Sequence, residues 1–456
     1  MNWFFEKPGK PLAVLAALIT FLTSLYATMS GPVADALPVA RTLRGLSEVS
    51  RDGRVILVYH TLAVPFVALL AIMYVGTIAL GEGRRNAIVH ALFFGSLVAS
   101  LAGFAYGYLG GGMIAHGLYV FGLSVVFYGG LNLTLAVFQV RNGRQDASGS
   151  RDEPGSLEQL ATGLTFAATL VSAAIGGAVG AFFGTGLARA FLAEDIIRVK
   201  HDIFMRAVIS HLHIMLTLVA AAILLLIARF YRYREPRAAW FYRLVIGGVI
   251  VTSLATWSVI IEPIEKQAHK VINIGAVFLL AAAALLAIAG LALIAKRLFH
   301  HPFAAINFAY LLLVNGIVTV PGVYVAINLE RFRTREYAEV ERSFATGHWH
   351  VLGGLCALMA LLLLLDYLDV REAWARALAW SGGLSSLVAF GAANAYLFRA
   401  PRATGSIALA VLEPALAVFL IAAVVLVFRA VVEGIRGGPA WGAARSRAID
   451  LSGTNS

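Results

Sequence analysis

Ser210-His211-Leu212-His213-Ile214-Met215-Leu216 opens a run that continues to Ala228 without a charged residue. A hydrocarbon core of roughly 30 Å is crossed by about 20 apolar residues in a helix, so the stretch reads as a membrane span over 204–228. The same criterion, applied outward in both directions, places spans near 11–30, 55–80, 87–108, 111–140, 157–192, 241–261, 272–295, 302–328, 345–367, 373–398 and 404–430. The expected fold is all-α: a polytopic membrane protein of about twelve transmembrane helices, one membrane domain over 1–456, with short loops and a flexible tail at 434–456. Composition requires the same solvent. Of 456 residues, 60% are hydrophobic and 13% charged, where a soluble domain carries about 25% charged residues. The span near 157–192 holds Gly176, Gly177, Gly180 and Gly184, which suits close helix packing in lipid or a break in the helix.

Charge and cysteine narrow the function classes. The formal charge is +11, but the basic residues are scattered between apolar spans, so they read as helix-end anchors and lipid headgroup partners and not as a nucleic-acid surface. Cys356 is the single cysteine, which excludes an internal disulfide and thiolate metal clusters. The first apolar stretch lacks a convincing small-residue cleavage site, so no cleavable signal is expected. With the N-terminus inside, inner segments hold 20 Lys and Arg against 16 outside, the densest cluster being Arg229, Arg232, Arg234, Arg237 and Arg243. The expected location is the cell's inner (cytoplasmic) membrane, multi-pass, with both termini inside.

The histidines carry the chemistry. Gly347-His348-Trp349-His350-Val351-Leu352-Gly353 repeats the His-x-His step of His211 and His213, and Tyr59-His60-Thr61-Leu62 opens the second span comparably. These openings lie four spans apart, so the three helices run in one direction. His60 falls roughly 8 Å into its span, with the others at comparable depth in the outer half of the membrane. A neutral imidazole in lipid needs partners and is a functional candidate by default. A common layer of them fits axial ligation of haem iron. Residues two apart on a helix diverge by about 200°, so the members of a His-x-His pair serve different groups more readily than they chelate one metal. His116, near the start of the fourth span, shares the layer as a spare ligand.

On these residues the chain resembles the haem-copper oxidase superfamily, nearest the C-family oxygen reductases and the nitric oxide reductases. The run from Gly347 to Gly353 looks like that family's tenth-helix motif, and Tyr59-His60-Thr61 its second-helix ligand. The resemblance implies three pseudo-symmetric four-helix arcs. It makes His60 and His350 the axial ligands of a low-spin haem b and His348 the ligand of a second haem. Arg399 and Arg402 would lie near the haem propionates. The family's second metal takes one histidine from helix 6 and an adjacent pair from helix 7, but the span over 241–261 contains no histidine. His211 or His213 could then ligate the second haem directly, and no copper is expected. The resemblance implies a dihaem b-type cytochrome, an electron-transfer subunit of an oxidoreductase complex. It would relay electrons between a partner redox subunit, such as a c-type cytochrome or iron–sulfur protein, and quinone or a periplasmic cytochrome.

Two other readings remain open. One is a reductase of oxygen or nitric oxide with an atypical second-metal site. The other is a transporter whose histidines and Glu413 line a path. Glu413 sits beside Pro414 inside the last span, where a carboxylate is costly unless protonated or paired. Asp366 and Asp369, near the inner end of the tenth span, read as interfacial caps.

Overall fold

The computed structural model describes residues 9–27, 38–47, 51–78, 80–139, 155–179, 194–295, 301–313, 338–397 and 407–435, with Val49, Tyr324 and Asn328. Those residues form thirteen α-helices and no strand. They are α1 (Gly9–Ala27), α2 (Pro38–Gly45), α3 (Arg51–Val75), α4 (Glu82–Tyr108), α5 (Gly112–Gln139), α6 (Ser156–Val179) and α7 (Glu194–Phe230). The series continues with α8 (Ala239–Ser258), α9 (Glu265–Ile294), α10 (Pro302–Leu313), α11 (Ala338–Tyr367), α12 (Ala373–Leu397) and α13 (Ile407–Ile435). The protein is therefore an all-α, polytopic membrane protein. Among the described residues, 8 helices are long and apolar enough to cross a membrane, and Gly9–Ser24, Pro302–Leu313 and Leu352–Tyr367 are shorter apolar helices. Each of the twelve expected spans contains a helix. In the fifth the helix ends at Val179, and residues 180–192 of the expected span lie outside those described. Similarly, α13 reaches Ile435, and the rest of the expected tail lies outside them.

In lipid the backbone must satisfy itself, which is why helices dominate. Hydroxyls buried in the spans follow the same rule by bonding back to their own helix: Thr165 donates to the Ala161 carbonyl at 2.8 Å and Thr169 to that of Thr165 at 2.8 Å. The outer faces are apolar because their solvent is apolar, and Leu101, Phe121, Leu254, Ile288 and Phe428 are all exposed.

The chain divides into two compact units. The first comprises Met1–Pro154 with Val427–Arg447, the second Gly155–Leu426 with Ala448–Ser456. The first boundary falls at the polar segment between the fourth and fifth spans.

In the first unit, α3 carries Pro65 in its interior. Proline has no N–H to give the carbonyl four residues back, so that of Thr61 is left over. Ser100 of α4 supplies the missing donor, its Oγ lying 3.1 Å from the Thr61 oxygen. α4 turns into α5 through Gly110 (φ +63°). The Gly111 amide bonds the Ala105 carbonyl at 3.2 Å, the wider bond of a helix end closed by a left-handed residue. The two helices then pack backbone to backbone. A Cβ on Gly122 would lie 2.5 Å from the Ala99 nitrogen and 2.8 Å from the Gly95 oxygen. Gly122→Val is therefore expected to destabilise by about 1–3 kcal/mol or more, because neither backbone can retreat without losing its neighbours. Thermal unfolding in detergent measures it, and an unchanged midpoint would show that α4 and α5 do not approach this closely.

In the second unit, α7 and α11 end alike. Arg232 (φ 58°) and Asp369 (φ 60°) adopt the left-handed conformation just beyond them. The Tyr233 amide reaches back to Ala228 at 2.8 Å and that of Val370 to Leu365 at 3.1 Å, so both terminations satisfy carbonyls the helix leaves open.

Candidate functional site

His60 of α3 is half-buried, one residue from the buried Thr61 whose carbonyl takes the Ser100 bond. The proline that frees that carbonyl thus fixes the rotation of α3 against α4, and with it the azimuth of His60. In the same unit His116 is half-buried on α5, its ring 5.1 Å from that of Tyr106 and tilted to it.

In the second unit the two histidines of α7 part company. His211 is half-buried and its Nδ1 lies 3.1 Å from the Ser172 carbonyl of α6. Its ring is tilted against Trp257 of α8 at 6.3 Å, and Trp257 donates from Nε1 to the Ser172 hydroxyl at 3.1 Å. Gly176, one turn beyond Ser172, completes the seat: a Cβ there would overlap the His211 ring. A carbonyl can only accept, so the Nδ1 of His211 carries a proton. A ligating histidine ordinarily presents its other nitrogen in this way. Of these partners, only Gly176 stood out in the sequence, as part of the glycine-rich span. Ser172 and Trp257 carried no signal, because they are ordinary span residues until α6, α7 and α8 are packed. His213 is exposed.

Helix register shows which faces these histidines occupy. Tyr231, just past the end of α7, donates its hydroxyl to Asp366 of α11 at 2.7 Å. Arg229, two residues earlier, points instead to α6, with Nη1 2.8 Å from Glu158 Oε1. His213 stands 18 residues before Tyr231, and 18 residues make about five whole turns. His213 is therefore on the α11-facing side of α7, while His211, in register with Arg229, is on the α6-facing side. On α11, His348 stands 18 residues before Asp366 and shares its azimuth by the same arithmetic. His350 is about 200° away from it. Both His213 and His348 are thus about 27 Å along their helices from the Tyr231–Asp366 contact.

Asp369 sits where a cap is expected, accepting from Arg371 Nε at 2.6 Å. Asp366 does not act as a cap: it accepts the hydroxyl of Tyr231, a fully buried residue, within the packed ends of two helices. The correction arises because its distance from the span's end was legible, but the α7 residue facing it was not. Glu413 is exposed on the second turn of α13. The side chains of His348 and His350, and all of Arg399 and Arg402, lie outside the described residues. Among the described residues no three His, Cys, Asp or Glu side chains gather as a metal site. Compared with known proteins, the chain matches no family model, no curated protein and no solved structure.

Proposed function

We propose that this protein is a membrane-bound, dihaem b-type cytochrome of the cytoplasmic membrane, relaying electrons between a partner redox subunit and quinone or a periplasmic cytochrome. The observation that carries the reading is the pair of His-x-His steps on α7 and α11. Each puts one histidine on the faces by which the two helices meet, at matching distances from a contact that fixes their relative height. Histidine is the ordinary protein ligand of b-type haem iron, and a haem, when bound, carries one electron by alternating between ferrous and ferric iron. The first haem would be held by His60 and His350 and the second by His348 with a histidine of α7. His116 is a spare ligand in the first unit. Arg399 and Arg402 would steady the propionates. The chain's own work is to hold imidazoles in the neutral, ligating tautomer and to exclude water with apolar helix faces. Filling both axial positions of each iron would keep oxygen and nitric oxide away.

A reduced-minus-oxidised spectrum of the purified protein tests the reading, together with metal analysis and carbon monoxide addition. The expected result is low-spin b-type haem with iron at about two atoms per chain, no stoichiometric copper and no carbon monoxide complex. Replacing His60 or His350 by alanine should each remove a low-spin signal while leaving the protein inserted. A spectrum without haem favours a transporter. A haem that takes up carbon monoxide rapidly, or one copper per chain, favours a terminal reductase.

A further inference from the structure

The ends of α7 and α11 meet around polar atoms that the proposed electron relay does not use. Tyr231 is fully buried and donates to Asp366 at 2.7 Å. Burial raises the phenol's pKa well above its ordinary value, and the neighbouring Asp366 charge raises it further, so the hydroxyl keeps its proton and remains the donor. The Tyr231 ring packs at 5.2 Å from Phe308 of α10. Asn307, the preceding residue, is 0% exposed and lies beside the Tyr231 hydroxyl without reaching hydrogen-bond geometry. Both its amide oxygen and its amide nitrogen lack a partner. A buried amide left unsatisfied costs on the order of 1–3 kcal/mol, and such a group in a folded protein needs a reason.

The local charge supplies one. Arg371 is engaged by Asp369, and among the described residues Asp366 makes no ion pair. Asp366, Asp369 and Arg371 together carry one uncompensated negative charge. The C-terminal ends of α7 and α11 add their partial negative charge at the same place. Asp366 is only half-buried, which gives an ion a way in from the water at this end of the unit.

We propose that the Asp366 carboxylate, the Tyr231 hydroxyl oxygen and the Asn307 amide oxygen form a site for a hard monovalent cation, sodium by its preference for oxygen donors. Carboxylate, amide and hydroxyl oxygens at helix ends are the donors that membrane proteins use for such ions. The bound ion neutralises Asp366 and gives the Asn307 oxygen its partner. The site is independent of the haem reading and stands or falls without it.

The test is thermal unfolding of the full-length protein in sodium, potassium or choline chloride at one ionic strength, with a direct sodium-binding measurement by radioactive ²²Na. Sodium should raise the midpoint saturably, by about 2–4 °C at concentrations far above its dissociation constant, and choline should not. Asp366→Asn and Asn307→Leu should each abolish both the shift and the binding. Asn307→Leu removes only a neutral amide, so it keeps the test decisive if Asp366→Asn fails to fold. Equal midpoints in all three salts with no ²²Na bound, as for a bridging water, would overturn the site, and so would sodium binding that survives both substitutions.

Discussion

Replacing Arg229 by alanine is expected to lower the stability of the protein by about 3–5 kcal/mol. Arg229 is 1% exposed on α7, and its Nη1 lies 2.8 Å from Oε1 of Glu158, which is itself buried in the first turn of α6. The same turn is tied a second time. Glu235 Oε1 accepts from the backbone amides of Leu157 at 2.8 Å and Glu158 at 3.3 Å, satisfying helix N-terminal donors that would otherwise be orphaned. Removing the guanidinium leaves a carboxylate in an apolar setting without a counter-ion, and that penalty accounts for most of the loss. Two controls separate the cost of breaking the pair from its net worth. Glu158→Gln keeps an acceptor for Arg229 but strands its charge, so it should also be destabilising. The double variant Arg229→Met/Glu158→Leu should recover much of the loss, because neither charge is then left alone. Thermal unfolding in detergent provides the readout. A midpoint unchanged by Arg229→Ala would mean that α6 is not anchored through this pair.

The sequence foretold the helices and their limits well, because lipid imposes one strong requirement, apolar length, that any reader of the chain can measure. The run from Ile214 to Ala228 could only be a buried or membrane helix, and α7 contains it. What the sequence could not tell was azimuth. Arg229 belonged to a basic cluster expected at the membrane surface. It is instead among the most buried side chains, since its partner Glu158 lies some 70 positions earlier, and that pairing exists only once α6 and α7 are side by side. Asp366 was misread for the same reason. Gly176 is the intermediate case. Its composition signalled close approach, but only the fold shows that the close neighbour is the His211 ring.

The same azimuthal reasoning yields the sharpest prediction about the two histidines that the sequence left undivided: His213→Ala should cost the second haem its axial ligand, and His211→Ala should leave that haem in place. His211 shares a face with Arg229, and its Nδ1 is committed to the Ser172 carbonyl on the α6 side. His213 shares a face with Tyr231, which meets Asp366 of α11. From that fixed point, five turns along each helix lead to His213 on α7 and His348 on α11. In the His213→Ala protein the second haem should turn from low-spin to high-spin and begin to bind carbon monoxide, with iron content falling from two toward one where the haem is lost outright. His211→Ala should keep both low-spin signals. Gly176→Ala, which crowds the His211 ring, should lower stability more than it changes the spectrum. A readout independent of haem comes from cysteine pairs in a Cys356→Ser background. His213→Cys with His348→Cys should be bridged by a bifunctional reagent in the folded protein, and His211→Cys with His348→Cys should not. Loss of the second haem in His211→Ala with retention in His213→Ala would refute the register argument, while absence of haem from the unaltered protein would refute the proposed function and leave the cysteine result to stand as a measurement of helix orientation.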